Sequence, residues 1–589
     1  VTSGAGADGM HAASHSNATN SGSIVTSGDE AVGMYASGEG SWAVNQGAGT
    51  ILTKGVEAHG MEASTGAHVD NTASIATSGD SSYGMFAEAF SSAVNTGEIT
   101  TSGASAHGMA AVFESVITNL GADSIVTWGD GAHGMFATGS SSADNSGSIT
   151  THGDGAFGML VVDQSHATNS GTIQTWGKGS HGMAASDSSL VTNLAAGSID
   201  TESDDAVGML AQDGSTANNL GAVRTAGNYA YGMMAEGGSL VRNFYGATIV
   251  TTGMGSIGML ASDDSHADNS GTISTSFYGG HGMVALYGSD AYNYGSIVTS
   301  GEAAYGMYAG EESEATNTGM GSIETFGVGA NGMTAVVSSD VANYKSIVTH
   351  GNEADGMSAF SHSTAVNTAI GNIVTSGDNA LGMYGENVSE LSNSGTIVTS
   401  GAYAHGMSVN SVSAAVNSGD ITTYGLRAYG MFATLDSTVS NLGADSIVTW
   451  GESAYGMAAF DTSSADNSGS ITTHGDKATG MYAHIDSYAE NSGSITTYGE
   501  KAQGMRADET SRLLNSGSIV TEGAGSYGMD VVEHSTALNT GTIKTSGAGA
   551  HAVRVDFGGD FTNSGTLDSL QGYAVGATDE SHVTLLDGT

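Results

Sequence analysis

The dipeptide Gly-Met recurs along this chain like marks on a ruler. Its methionine stands at 10, 34, 61, 85, 109 and 135 and so on to 505 and 529, and every interval but the one of 27 is 24 or 26 residues. Val553 carries the series one step further. A unit this short cannot bury an apolar face alone, so repetition on this scale confines the chain to a solenoid in which neighbouring units complete one another's core.

The phase of the repeat assigns its faces. Ten residues before each Met stands Ile, as in Ile24, Ile51, Ile75 and Ile543, with Val223 the replacement, and eight before stands Thr, as in Thr26, Thr53, Thr77, Thr127, Thr349 and Thr521. Two after comes Ala, as in Ala12, Ala36, Ala87 and Ala459. Eight after is apolar (Ala93, Ile117, Val191, Leu391), and ten after is Asn, as in Asn20, Asn71, Asn95, Asn145, Asn293, Asn417 and Asn563. Even offsets share a face of an extended strand. The position nine before Met runs Val25, Leu52, Thr100, Gln174, Asp200, Arg224, which is the behaviour of a solvent-facing site.

Three short strands per repeat, with Ile and Thr, Met and Ala, and Ala and Asn inward, predict an all-β parallel β-helix of about 24 coils. At about 4.8 Å per coil it would form a rod of roughly 110 to 120 Å. Apolar spacings of three or four, as α-helices need, are missing, and a β-propeller would need four strands in a longer repeat. The reading is one architecture throughout, regular over 1–552 and degenerate over 553–589. The absence of Pro fits ladders in which every N–H is used. Gly in T-x-G (Gly28, Gly55, Gly129) and after N-x (Gly22, Gly47, Gly97) is expected to permit positive φ or close stacking.

Intervals of 26 arise where two residues enter between Asn and Ile, as at Asn119 to Ile125 and Asn441 to Ile447, and either lengthen a turn or form a bulge without exchanging faces. The interval of 27 moves its Asn to Asn45 and predicts a local irregularity. An identical eleven-residue segment begins at Asn119 and Asn441, which points to duplication of blocks of coils.

Composition narrows function. With no Cys there is no disulfide or thiolate chemistry. A net charge of −47, with basic residues scattered as Lys54, Lys178, Arg224, Arg242, Lys345 and Arg427, opposes binding to nucleic acid or anionic lipid. An apolar stretch of membrane-spanning length and a leader at Val1 are both missing from the sequence, so a removed leader or an excised piece is expected.

Several rows invite functional readings. The Met row could bind soft metals, but a flexible filler beside Ala in a narrow interior is the stronger reading. The Asn row reads as stacked structural amides. His and Tyr two before Met (His59, Tyr83, His107, His133, His181, Tyr231, His281, Tyr305, His405, Tyr429, Tyr455, Tyr527, His551) suggest an interrupted exposed stripe that contacts sugars or a protein, or else shields the core. His152, His350 and His474 lie outward in T-x-G. Acidic residues follow that motif at Asp29, Asp80, Asp130, Asp154, Glu302, Asp378, Glu452, Asp476 and Glu500, where stacking would be repulsive or attract cations; calcium is conceivable there. No departure from the pattern is expected to gather a basic residue with paired acids, as a polysaccharide lyase or hydrolase would need. A flat ice-binding plane of Thr is also missing from the pattern.

The text G-x-I-x-T-x-G-x-x-A-x-G-M-x-A followed by A-x-N-x-G resembles the passenger repeats of bacterial autotransporter proteins, over nearly all of the chain. Ile24, Thr26 and Asn20 match that family in kind, while Met34, Met85 and Met457 stand where it usually has Ile or Val. The resemblance implies a right-handed helix, an extracellular place at the bacterial surface, either anchored at the outer membrane or released, and a role in adhesion or cell-to-cell aggregation. The expected partner is a surface glycan, a protein or another copy of the chain, with the membrane reached only through a barrel or anchor outside this sequence. The alternative is a self-assembling surface filament or sheath, and a lesser one is a polysaccharide-active enzyme. No catalytic, cofactor-binding or metal-ligating residue is assigned.

Overall fold

The computed structural model describes residues 1–120, 124–442 and 446–586. Among them every regular element is a strand, 71 in all, nearly all of four residues. The coil that starts at Met61 shows the plan. Strands Met61–Ser64, His68–Asn71 and Ser74–Thr77 are joined by tight turns. Each pairs in parallel with its equivalent one coil on: Met61 with Met85, Asn71 with Asn95, Ile75 with Ile99. The fold is therefore the expected all-β parallel solenoid with three strands per coil and about 24 coils. Two compact units, Val1–Ile297 and Val298–Thr589, make up the chain, and both follow this plan. In the second, Met457 pairs with Met481, Asn467 with Asn491 and Ile447 with Ile471.

The inward rows are those the alternation gave. Met34, Met61, Met85 and their successors are wholly buried beside Ala, with Ile and Thr rows equally inaccessible. The amides form a continuous chain: Nδ2 of Asn45 donates to Oδ1 of Asn71, Asn71 to Asn95 and Asn95 to Asn119, each at 2.8 Å. The same side chain closes its own turn, since Asn95 donates to the Gly97 carbonyl at 2.9 Å and accepts the Gly97 N–H at 3.2 Å. Thr26 Oγ1 donates across the T-x-G turn to the Ala31 carbonyl at 2.9 Å, and Thr127 to Ala132 at 2.6 Å. These bonds partner the amide row and most of the threonine row without breaking the ladders, while the hydroxyls of Thr53, Thr201, Thr225, Thr251 and Thr521 are buried without one.

A third polar row was not anticipated. Ser91, Ser115, Ser141, Ser165 and Ser189 are buried six residues after Met. The hydroxyls of Ser115, Ser141, Ser165 and Ser189 each accept the N–H of the serine one coil earlier, at 3.0 to 3.1 Å, and that of Ser91 accepts the Gly66 and Ala67 N–H groups. The row ties down a turn whose two preceding residues, such as Phe113 and Glu114, both hold positive φ although neither is glycine.

Glycine serves mainly close approach. A Cβ on Gly84, one before Met85, would collide with Ile99 Cγ2 and the Gly108 carbonyl, and one on Gly55 would collide with the Gly28 backbone. Gly47 is the positive-φ case, at 65°. The two-residue additions lengthen turns: Gly197 N–H bonds the Leu194 carbonyl at 2.7 Å and Ala247 that of Phe244 at 3.0 Å, and strand register is kept on both sides. The corresponding additions after Asn119 and Asn441 fall on residues outside those described. The interval of 27 is absorbed in two places, one residue in the loop around Gly38 and Gly40 and two in the turn where the Gly49 N–H bonds the Gln46 carbonyl at 2.9 Å, so that Asn45 still pairs with Asn20 and Asn71.

Candidate functional site

The outer face of the Met-bearing sheet differs from the other two faces, and the glycine before each Met is the reason. The chain turns there, so the residues two before and one after Met stand on the inner side of a corner and pack on each other. The His and Tyr row expected to be an exposed stripe is instead half-buried. In Val1–Ile297, His59, Tyr83, His107, His133, Phe157 and His181 stack in six successive coils with ring centroids 4.7, 5.0, 4.7, 5.0 and 4.5 Å apart. Phe86 and Phe136 close over the row, 5.1 Å from His59 and 5.2 Å from His107.

Each histidine in this stack has a backbone task. Nδ1 of His59, His107, His133 and His181 accepts the N–H of Tyr83, His133, Phe157 and Val207 one coil on, each at 3.0 Å. An acceptor at Nδ1 fixes the neutral ring with its proton on Nε2. Burial pushes His59, His133 and His181 down to about 4, His181 adding to the effect on His133. Burial also holds His107 well below its ordinary value, helped by His133 and His59. Other acceptors fill the same place elsewhere: Asn331 Oδ1 takes the Asp355 N–H at 2.8 Å, and Asp355 takes that of Leu381 at 2.9 Å.

One residue after Met, positions that vary in sequence are nonetheless covered. From Phe86 through Ala110, Phe136, Leu160, Ala184, Leu210, Met234 and Leu260 to Val284, nine successive coils place an apolar side chain there; Ala184, Leu210, Leu260 and Val284 are buried. Phe157, Leu160, Tyr231 and Met234 pack against Ala184, Val207 and Leu210. This row is a second, external core.

In Val298–Thr589 His405, Tyr429 and Phe432 repeat this packing, with His405 Nδ1 accepting the Tyr429 N–H at 2.9 Å, but from Tyr482 to Arg554 the outward positions one and three after Met carry polar and charged groups. Asp508 accepts from Tyr482 Oη at 2.7 Å and from Arg506 at 3.0 Å, and lies 2.6 Å from His484 Nδ1. Arg554 makes a two-pronged pair with the wholly buried Asp530, at 2.7 and 2.8 Å. Each arginine also lies over a ring, Arg506 5.4 Å from Tyr482 and Arg554 4.8 Å from Tyr527. The expectation that no place gathers basic residues with paired acids is thus corrected. The gathering was hidden because its members come from four coils, 24 residues apart.

The outward place in T-x-G holds exposed aromatic rings. Trp128 stacks on His152 at 4.0 Å, Phe326 on His350 at 4.7 Å, and Trp450 on His474 at 3.9 Å with Tyr498 5.0 Å beyond. Their faces are spent on one another, which leaves edges for solvent. The acidic row beside them is likewise engaged: Asp80, Asp154 and Asp476 accept the N–H of Ala104, Lys178 and Glu500 at 2.9, 2.8 and 2.9 Å. These aspartates are therefore compensated by the backbone, and Glu452 by Lys477 at 2.7 Å.

Two further groupings have the residue types of catalysis. His68 bonds Ser92 Oγ through Nδ1 at 2.6 Å and Asp70 through Nε2 at 2.7 Å. The Ser92 N–H is already given to the Ala67 carbonyl, so it is not free to serve an oxyanion. Asp466 and Glu490 stand in register beside a hollow of about 310 Å³, where burial and then the Glu490 charge raise Asp466. No group of three or more His, Asp or Glu suited to a metal ion occurs among the described residues.

Comparison with known proteins gives one family. The family model described as the BigA third pectate lyase-like domain matches residues 121–222, 220–325, 321–447 and 444–586. No curated protein matches. Among solved structures, a chain of the cryo-EM structure of the Vag8-C1 inhibitor complex is similar at 15% identity and a TM-score of 0.38, over 88% of this chain and 95% of that one.

Proposed function

Since the chain belongs to the family of the BigA third pectate lyase-like domain, we propose that it is a non-catalytic β-helical stalk of a bacterial surface, extracellular, that mediates adhesion or cell-to-cell aggregation. The observation that carries this reading is the contrast between inward and outward positions. Met, Ile, Thr, Ser and Asn rows repeat coil after coil, while outward residues change freely and the loops stay short. A scaffold of that kind presents many surfaces on one frame.

The pectate lyase-like description names an architecture that enzymes also use. Lyase chemistry would need a base with a free cationic partner, whereas Arg506 and Arg554 are held by Asp508 and Asp530. The resemblance to autotransporter passengers supports the surface location, and a bound calcium ion is not required for the acidic row to be satisfied.

Purified chain titrated onto bacterial and host cells should attach saturably, and beads coated with it should aggregate. Chains that polymerise end to end without attaching would favour the filament alternative. Polysaccharide cleavage that is lost in Asp466→Asn would overturn the non-catalytic reading.

A further inference from the structure

The six-ring stack of Val1–Ile297 contains four imidazoles in one row, each spending Nδ1 on a backbone N–H of the next coil. Protonation converts that acceptor into a donor, which sets N–H against N–H at 3.0 Å. It also places two like charges in the touching rings of His107 and His133, 4.7 Å apart. Among the described residues of these coils, no other histidine accepts a backbone N–H from the next coil. We propose that the His59, His107, His133 and His181 row is an acid-operated latch, closing the outer face of the Met sheet at neutral pH and opening it locally on acidification. Opening would loosen the packing of the row against Phe86 and Phe136, where the external core begins.

The groups around the latch do not cancel it. Tyr83 stands within the stack with Glu57 near it, and burial raises its hydroxyl further from the relevant range. Glu62, on the strand Met61–Ser64, is held up to about 7 by burial and by Glu88 and Asp8; it runs the other way and is relieved by acid. Phe157, Phe86 and Phe136 carry no charge. The low values of the histidines agree with the geometry, since a ring that must stay neutral resists its proton.

The chain itself supplies the substitution for a test. Asn331 performs the same acceptor task without a titrating group, at 2.8 Å to the Asp355 N–H. In the full chain, amide exchange of peptides spanning 83, 133, 157 and 207 is followed by mass spectrometry from pH 7 to 4, corrected for intrinsic rates. The opening constant is expected to rise about tenfold per pH unit for each coupled histidine below about pH 6.5. His107→Asn with His133→Asn should lower that slope, while peptides around Met457 and Met481 stay closed in both proteins. A wild-type opening constant that does not change with pH overturns the latch without any variant being needed. A double variant that folds and keeps the wild-type slope overturns it as well, and assigns the response to carboxyl groups. Attachment to cells measured at pH 7 is a separate readout, so failure of the stalk reading and failure of the latch are distinguishable.

Discussion

Two stretches of the outward face of the Met sheet, from His59 to Val284 in one unit and from Tyr482 to Arg554 in the other, are built in opposite ways. In Val1–Ile297 they hold neutral imidazoles and a run of apolar side chains closed over one another. In Val298–Thr589 they hold tyrosines, arginines and two buried carboxylates joined in pairs. The inward rows are alike, so the difference teaches that the corner made by glycine creates a sheltered strip that tolerates either chemistry. In the polar stretch the buried carboxylates Asp508 and Asp530 are each held by an arginine. Sequence variation at these positions is therefore not the mark of free solvent exposure.

Acid should separate the units most strongly. His59, His107, His133, His181 and His281 are all depressed by burial in the first, while His405 and the more exposed His474 are so in the second. A folded-state value below 6.5 means that the unfolded chain takes up protons the fold refuses. Stability then falls as pH drops from about 6.5 toward 4, by about 1.4 kcal/mol per pH unit for each such histidine. Proteolysis during acid titration should cut within Val1–Ile297 first; simultaneous cutting of both units would erase this side of the comparison.

Removing a partner in the polar strip comes next. Arg554→Ala leaves Asp530 buried and unpaired and should cost about 3 kcal/mol, seen as a lower denaturant midpoint. In the apolar strip, Leu210→Ala should cost about 2 kcal/mol; a negligible loss would mean that the external core is not packed in solution. At the small end, Lys477→Ala breaks an exposed pair with Glu452 and should leave the melting temperature unchanged. Chelation of divalent cations should do the same, because Asp154 and Asp476 already accept backbone N–H groups.

Most of the fold was legible because inward positions repeat with strict parity. Ile75, Thr77, Met85, Ala87 and Asn95 announce three strands and their faces, and a two-residue addition after Asn193 leaves them intact. The serine row was equally legible, since Ser91, Ser115 and Ser141 recur at one offset from Met. It escaped because it sits in a turn, where invariance is easily taken for loop chemistry. The sheltered strip was not legible. Phe86, Leu160 and Arg506 occupy the same offset with nothing in common, and their burial comes from the corner, a property of the assembled coil. The partnership of Asp508 with Tyr482 and His484 likewise depends on register between coils, which spacing alone does not display.

The inward phase of the Gly-Met repeat underlies all of this, and the methionines report on it themselves. Mild peroxide oxidation of the folded chain, read out residue by residue by mass spectrometry, compares buried and exposed sulfurs in one sample. The account predicts rapid oxidation at Met320 and Met254, which are 74% and 43% exposed, slower reaction at the half-buried Met234, and protection of every repeat methionine from Met34 to Met529. Oxidation of Met85 or Met457 as fast as Met320 would contradict it, because those side chains would then face water and the assignment of faces would be reversed.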